Sequence, residues 1–503
     1  MSQNKSIQLK VGAMLSYLQT AIGAIISLIY TPVMLSLLGQ SEYGVYNIAA
    51  TTVSYVNLLN MGFSSSYVRF YARDKAENDQ KQLAKTNGLF LLVFLSIGFL
   101  ALFAGFTLTA FSETIFADGL TASEYVIVKE IMLILTISTA YNLATSIFSS
   151  IVIAHEDFIF HRVVNLIKTV LNPSITWILL LMGYRSVMMA FVTATLTIVA
   201  DTFYLLYCFV KLKIKIDILH PSKSQLKEIT FFSGFIALTS IVDQINWSID
   251  KILLGRLKGT AETSVYSVAA TIHTMYMQLS TSISNVFIPR VNRIVAEKGT
   301  CRELTDIFIR IGRMQAFVLL PILLGFVFLG KIFVSLWTPN GYSEVYIIAI
   351  LLMGASIIPY IQNIGVSIQM AQNKHQFRAI LYTIISIANL VLSIFLCKEY
   401  GAIGCAIGTA FSLIVGNVII MNIYYQKKIK LDMIAFWKSM LKFLPTIIVL
   451  TVLGLTIMNF VSINTWGLFI LFGCIFVTVY AVMLWLTVLT KSEKLRIASI
   501  FKK

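Results

Sequence analysis

Apolar residues run through this chain in long blocks separated by short polar breaks. A helix rises about 1.5 Å per residue, so roughly 20 apolar residues cross a hydrocarbon core about 30 Å thick. Blocks of that length fall near residues 11–37, 44–68, 88–111, 131–153, 163–183 and 187–210. After a basic break from Lys211 to Lys227, six more lie near 230–250, 264–288, 314–336, 346–370, 379–397 and 402–424. A second basic break, Lys427 to Lys442, precedes a last pair near 443–461 and 466–489. The pattern predicts an all-α, polytopic membrane protein of about fourteen transmembrane helices. The first block runs on past Ala24 without a small-residue cleavage pattern, so it is expected to be a span rather than a removable signal.

Composition sharpens this picture. The chain is 57% hydrophobic and 12% charged, with a mean hydropathy of +0.82. A soluble domain carries roughly 25% charged residues. The net charge of +16 does not point to nucleic acid, because the cations are scattered between apolar blocks instead of gathered on one face. Cytoplasmic loops of membrane proteins have that distribution. With the N-terminus placed inside, all of the 39 Lys and Arg residues fall in or beside cytoplasmic loops except Lys129, Arg185, Lys251, Arg256, Lys258, Lys331 and Lys398. Both termini are therefore expected in the cytoplasm. The outer connections are short, the longest being roughly Ser112 to Glu124, and leave no room for an external catalytic domain. Cys208, Cys301, Cys397, Cys405 and Cys474 show neither a disulfide framework nor metal-ligand spacing, and no cofactor is expected.

An internal repeat is offset by 216 residues: Leu37-Leu38-Gly39 recurs as Leu253-Leu254-Gly255, Arg162 as Arg378, Tyr184 as Tyr400, and Ile198-Val199-Ala200-Asp201 as Ile414-Val415-Gly416-Asn417. Val45-Tyr46-Asn47-Ile48-Ala49-Ala50-Thr51 recurs four residues late as Val265-Tyr266-Ser267-Val268-Ala269-Ala270-Thr271. The expected organisation is an N-terminal lobe at 1–215, a C-terminal lobe at 216–430, and two additional spans with a tail at 431–503. An even number of spans per lobe makes the lobes parallel repeats, and transporters built this way hold substrate near the midplane and alternate access by rocking.

Leu38-Gly39, Tyr43-Gly44-Val45-Tyr46 and Met61-Gly62-Phe63 leading to Arg69 resemble the opening signature of the polysaccharide transporters, or oligosaccharide flippases, in the multidrug, oligosaccharidyl-lipid and polysaccharide exporter superfamily. Asp250 through Leu254-Gly255, Gly259 and Val265-Tyr266 to Pro289 resembles the seventh and eighth spans of the same family. The resemblance implies transfer of a polyprenyl-diphosphate-linked oligosaccharide from the cytoplasmic to the outer leaflet of a bacterial cytoplasmic membrane, without covalent chemistry. The related lipid II flippases carry cavity arginines on their first two spans, and multidrug members an acidic residue on the first. The first span here has Gln19 and neither of those groups.

A lipid diphosphate needs cations and donors at membrane depth, where each charge costs at least about 2.5 kcal/mol and so faces protein or water. On the seventh span Asp243, Trp247, Asp250 and Lys251 share one face, flanked by Gln244 and Asn246. Asp243 lies inside the hydrocarbon, while Asp250 and Lys251 approach the outer surface. In the first lobe the cationic candidates are Arg69 and Lys168, with Asn57, Asn60 and Ser64 to Ser66 giving the second span a polar character suited to sugar hydroxyls. Asp201 and Asp243 are the candidates for a coupling proton or sodium ion, and Asp201 is placed to pair with Lys168. Each has a structural alternative: snorkelling or interfacial anchoring for the cations, and interhelical hydrogen bonding for Asp201 and the amides. Arg162 and Arg378 are expected as anchors, Lys129 and Glu130 as exposed interfacial groups, and His273 as a satisfied core residue. Pro32, Pro173, Pro321 and Pro359 lie inside spans and are placed to kink them.

Overall fold

The computed structural model describes residues 2–60, 62–77, 79–116, 119–219, 225–226, 228–229, 233, 244, 248–374, 376–461, 463–490 and 493–494. Every regular element among them is helical. Among the described residues, eight helices are long and apolar enough to cross a membrane, or ten crossings if each of two bent pairs counts as one span. The protein is a multi-pass membrane protein, and the shortfall from the expected number has local causes.

The first six crossings are α1 (Ser2–Leu38), the pair α2 (Gln40–Ser54) and α3 (Phe63–Ala76), α4 (Gln80–Ala110), α6 (Ala122–Ala154), α7 (Phe158–Leu181) and α8 (Ser186–Val210), with a short α5 (Ser112–Phe116) before α6. The second crossing is broken: Tyr55–Asn60 tightens into a 3₁₀ turn, and Gly62 takes φ 97°, a left-handed conformation that a side chain disfavours. Of the seventh apolar block and the residues after it, 248–257 are described as helix α9. The eighth is α10 (Thr260–Ala296), rich in Ser and Thr, and the ninth α11 (Cys301–Trp337). The tenth is the pair α12 (Val345–Ile361) and α13 (Ile364–Ala371), bent by 44° just after Pro359. Pro32, Pro173 and Pro321 sit within unbroken helices.

A single helix over Gln376–Ile429 would be roughly 80 Å long, far more than a bilayer. Gly401, at φ 54° and ψ −132°, divides α14 (Gln376–Leu413) into the eleventh crossing and the start of the twelfth. The twelfth continues through π-helical Ile414–Ile420, α15 (Met421–Tyr424) and π-helical Tyr425–Ile429. Then come α16 (Met433–Leu441) and α17 (Leu444–Phe460), bent by 40°, and α18 (Trp466–Met483) with its π-helical end Leu484–Val488.

The chain divides into two compact units, Met1–Ser267 and Val268–Lys503. In the first, α4 shows how these helices pack. Gly98, Ala101 and Gly105 form a small-residue face, and a methyl on Gly98 would approach Ala144 Cβ to 2.6 Å, so α4 and α6 meet backbone to backbone. The opposite face, Leu95, Phe99, Phe103 and Phe106, is exposed apolar surface suited to acyl chains. In the second unit, α17 and α18 pack on α11 through Phe328, Leu450, Phe476 and Tyr480.

Candidate functional site

Two lines of polar side chains run through the first unit. One is the seam between α7 and α8. Asn165, Lys168, Asn172 and Thr176 recur at helical spacing on α7, as do Thr193, Thr197, Asp201 and Tyr204 on α8. Asn172 Nδ2 donates to Thr193 Oγ1 (3.3 Å), and Asn165 Nδ2 to Tyr204 Oη (3.2 Å). Between these contacts, half-buried Lys168 interacts electrostatically with Asp201, which is 8% exposed. Asn165 to Thr176 spans roughly 16 Å, about half the hydrocarbon thickness. From α1, Gln19 Nε2 donates to Thr169 Oγ1 (3.3 Å).

The second line is the break in the second crossing. Its 3₁₀ turn carries Asn57, exposed, and Asn60, half-buried. Ser64 Oγ donates to Asn60 Oδ1 (3.5 Å), closing the break from the α3 side. Gln244 Nε2 reaches Ser54 Oγ (3.0 Å). Asp250, 2% exposed, accepts from Tyr266 Oη (2.6 Å) and lies in electrostatic range of Tyr55, whose buried hydroxyl has no hydrogen-bond partner among the described residues. Lys251 is half-buried on α9, and Arg69 is exposed on α3 two turns beyond Gly62. Asp243 and its expected face-mate Trp247 lie outside the described residues.

One turn of α6 joins the two lines. Asn142 Nδ2 donates to Asp201 Oδ2 (2.8 Å), and Asn60 Nδ2 donates to Ser146 Oγ (3.3 Å). Ser146 Oγ in turn donates to the Asn142 carbonyl (2.7 Å). A continuous hydrogen-bonded chain thus runs from the Asp201 carboxylate through Asn142 and Ser146 to Asn60. Asn142 carried only the signal of an amide inside an apolar block, and its partner is set by packing.

The second unit repeats the seam in neutral form. Thr409 stands 216 residues beyond Thr193 and accepts from Asn389 Nδ2 (3.4 Å), while Asn417, the counterpart of Asp201, accepts from Tyr382 Oη. His273 is buried against Ser356 Oγ and Tyr360 Oη, each 3.0 Å from Nε2. Arg378 lies over the Tyr382 ring (4.4 Å).

Two acidic groups that the sequence pattern does not single out tie helix ends together. Glu42, at the start of α2, accepts from Arg185 Nη1 (2.6 Å), Ser186 N (3.0 Å) and Ser186 Oγ (2.8 Å), tying α2 to α8. Nearby, Glu124 accepts from Ser41 Oγ (2.5 Å) and Thr260 Oγ1 (2.7 Å), tying α6 to the starts of α2 and α10. Lys129 pairs with Glu113 at 2.5 Å on exposed surface.

The family model described as "Polysaccharide biosynthesis protein" matches residues 9–295. A "Putative O-antigen transporter" of Shigella flexneri is 23% identical over 409 residues, covering 77% of this chain and 90% of that one. The structure titled "Lipid II flippase MurJ, inward closed conformation" matches with a TM-score of 0.72 at 18% identity, over 94% of this chain and 98% of that one. An inward-facing multidrug resistance MATE family transporter matches with a TM-score of 0.63 at 16% identity, over 79% and 96%. The fold is that of the multidrug, oligosaccharidyl-lipid and polysaccharide exporter superfamily, and the chain belongs to the polysaccharide biosynthesis protein family.

Proposed function

We propose that this protein is a non-enzymatic flippase that carries a polyprenyl-diphosphate-linked oligosaccharide from the cytoplasmic to the outer leaflet of a bacterial cytoplasmic membrane for surface polysaccharide synthesis. In this reading both termini are cytoplasmic, residues 1–215 and 216–430 act as the alternating lobes, and residues 431–503 flank them. The observation that carries it is the chain Asp201–Asn142–Ser146–Asn60 inside the membrane-spanning helices. A charged headgroup cannot cross hydrocarbon without such groups, and a discontinuous helix at depth is where transporters expose backbone dipoles to their cargo.

The groups divide by charge. Asp201 repels a diphosphate, so its role is to take up a proton or sodium ion and thereby change its hold on Lys168. Lys168, Arg69 and Lys251 supply positive charge for the diphosphate. Asn57, Asn60 and Ser64, at the break, suit sugar hydroxyls. Asp243 is kept as a second coupling candidate and Asp250 as a substrate-facing one.

The test is reconstitution into vesicles with a fluorescent lipid-linked oligosaccharide. The label should become accessible on the opposite leaflet while the glycan's covalent structure stays unchanged. Altered glycan would indicate a transferase. No leaflet transfer, together with export of cationic dyes, would make the protein a drug exporter.

A further inference from the structure

At the basic end of the second unit, the twelfth crossing and α16 enclose an open groove of about 580 Å³. That volume is within the range of small-molecule sites, roughly 300–1,000 Å³. Its walls are Ile423, Met433, Ile434, Trp437 and Leu441, and its rim carries Lys427 and Lys438, both exposed. Between residues 427 and 442 there are five lysines (427, 428, 430, 438 and 442) and one acid, Asp432, whose carboxylate caps α16 by accepting from Ala435 N (2.9 Å). Most of the groove's amide atoms are committed internally. Asn422 exchanges bonds with Gln362 (3.0 and 3.1 Å) and accepts from Trp437 Nε1 (3.0 Å), and Gln426 accepts from Met433 N (2.8 Å). A ligand therefore meets mainly methyl groups, an indole face and two ammonium groups, with the Gln426 amide nitrogen beside them. The floor includes π-helical residues of Tyr425–Ile429, a distortion common at functional positions. Ile423, Ile434 and Leu441 are 51%, 64% and 62% exposed, so the groove opens where acyl chains lie.

We propose that this groove holds one anionic phospholipid, its acyl chain against Ile434, Trp437 and Leu441 and its phosphate between Lys427 and Lys438. Basic pockets between membrane helices select anionic headgroups in this way. The site is independent of the transport reading, since it needs only a bilayer containing an acidic lipid.

The experiment reconstitutes the full chain into phosphatidylcholine vesicles containing a minor fraction of brominated lipid. Quenching of Trp437 is isolated as the difference between the protein and Trp437→Phe. Brominated phosphatidylglycerol should quench Trp437 more strongly than brominated phosphatidylcholine, with a preference of roughly fivefold per lysine. Lys427→Gln with Lys438→Gln, both surface changes, should abolish that preference. Native mass spectrometry of the same pair provides a reading that does not depend on Trp437→Phe folding: the protein should retain one phosphatidylglycerol and the double variant none. Equal quenching by the two lipids, or a preference that survives loss of both lysines, overturns the proposal. Relief of quenching by a polyprenyl diphosphate but not by unlabelled phosphatidylglycerol would overturn it too, by assigning the groove to the transported lipid.

Discussion

Asn142 donates to Asp201 over 2.8 Å, joining α6 to α8 inside the membrane-spanning part of the first unit. The carboxylate receives a hydrogen bond from a neutral amide and a longer-range interaction from Lys168. Its counterpart Asn417 shows that the same place in the repeat is served by a neutral amide, so the charge at 201 is not required for packing alone.

Asp201→Asn should accordingly separate fold from function. The amide oxygen still accepts from Asn142, so folded yield and melting temperature should change little, while leaflet transfer falls to background. Asp201→Ala removes the acceptor and should also destabilise the protein by about 1–3 kcal/mol. Equal transport by the protein and Asp201→Asn, measured in reconstituted vesicles, would remove Asp201 from the coupling role.

Gly44 tests the packing at the start of α2. A methyl there would lie 1.9 Å from the Thr260 carbonyl oxygen, a backbone atom that cannot swing aside, beside the Ser41–Glu124–Thr260 cluster. Gly44→Ala should cost about 1–3 kcal/mol or more, the range for overpacking. Gly354, inside α12, has nothing within 4 Å of its built Cβ, so Gly354→Ala should be neutral or stabilising by up to about 1 kcal/mol. Thermal melting of both variants in detergent decides the comparison.

The turn between α6 and α7 carries a pH-dependent contact. His155 Nδ1 donates to the Ile151 carbonyl (2.9 Å), and Tyr71 Oη donates to Nε2 (3.1 Å), an arrangement that requires neutral imidazole. Burial, aided by the charge of Lys75, holds His155 below the ordinary imidazole value. Below about pH 6.5 the unfolded chain therefore takes up a proton first, and stability falls with pH until the lower folded-state value is passed. Melting temperatures between neutral and mildly acidic pH should fall more for the protein than for His155→Gln. Parallel pH profiles would show that the contact does not titrate.

Much of the architecture was legible because each crossing must bury about twenty apolar residues, a constraint that leaves a strong periodic trace. The break at Tyr55–Gly62 was not. Asn57, Asn60 and Ser64 registered as polar positions, but glycine is common in membrane helices, so Gly62 gave no sign of its positive φ. Asp201 and Lys168 stood out by cost of burial, whereas Asn142 and Ser146, which connect Asp201 to the break, are cheap enough to place that composition does not flag them. Arg313 stands just before the apolar block that begins at 314, and α11 starts thirteen residues before that block, at Cys301, so the arginine's place inside a helix leaves no trace in the apolar pattern.

Arg313 provides the last prediction. At 5% exposed, it donates through Nη2 to the Val488 carbonyl (3.0 Å) and to Glu493 (2.9 Å), anchoring the end of α18 to α11. Partial burial alone would raise the Glu493 carboxyl, but the Thr490 amide and hydroxyl together with Arg313 outweigh it and hold the group below its ordinary value. A depressed carboxylate stabilises the fold above its unfolded pKa, about 4.3, and loses that contribution as pH falls through the folded value. Arg313→Ala should therefore cost stability at neutral pH, toward the lower end of the roughly 3–5 kcal/mol typical of a broken buried pair, since Glu493 keeps some access to water. Glu493→Gln should cost less, because the Val488 carbonyl still receives the guanidinium. Limited proteolysis of the C-terminal segment reports both effects. Cleavage should rise in the order of the unchanged protein, Glu493→Gln and Arg313→Ala at neutral pH, and the gap between the unchanged protein and Glu493→Gln should close in acid.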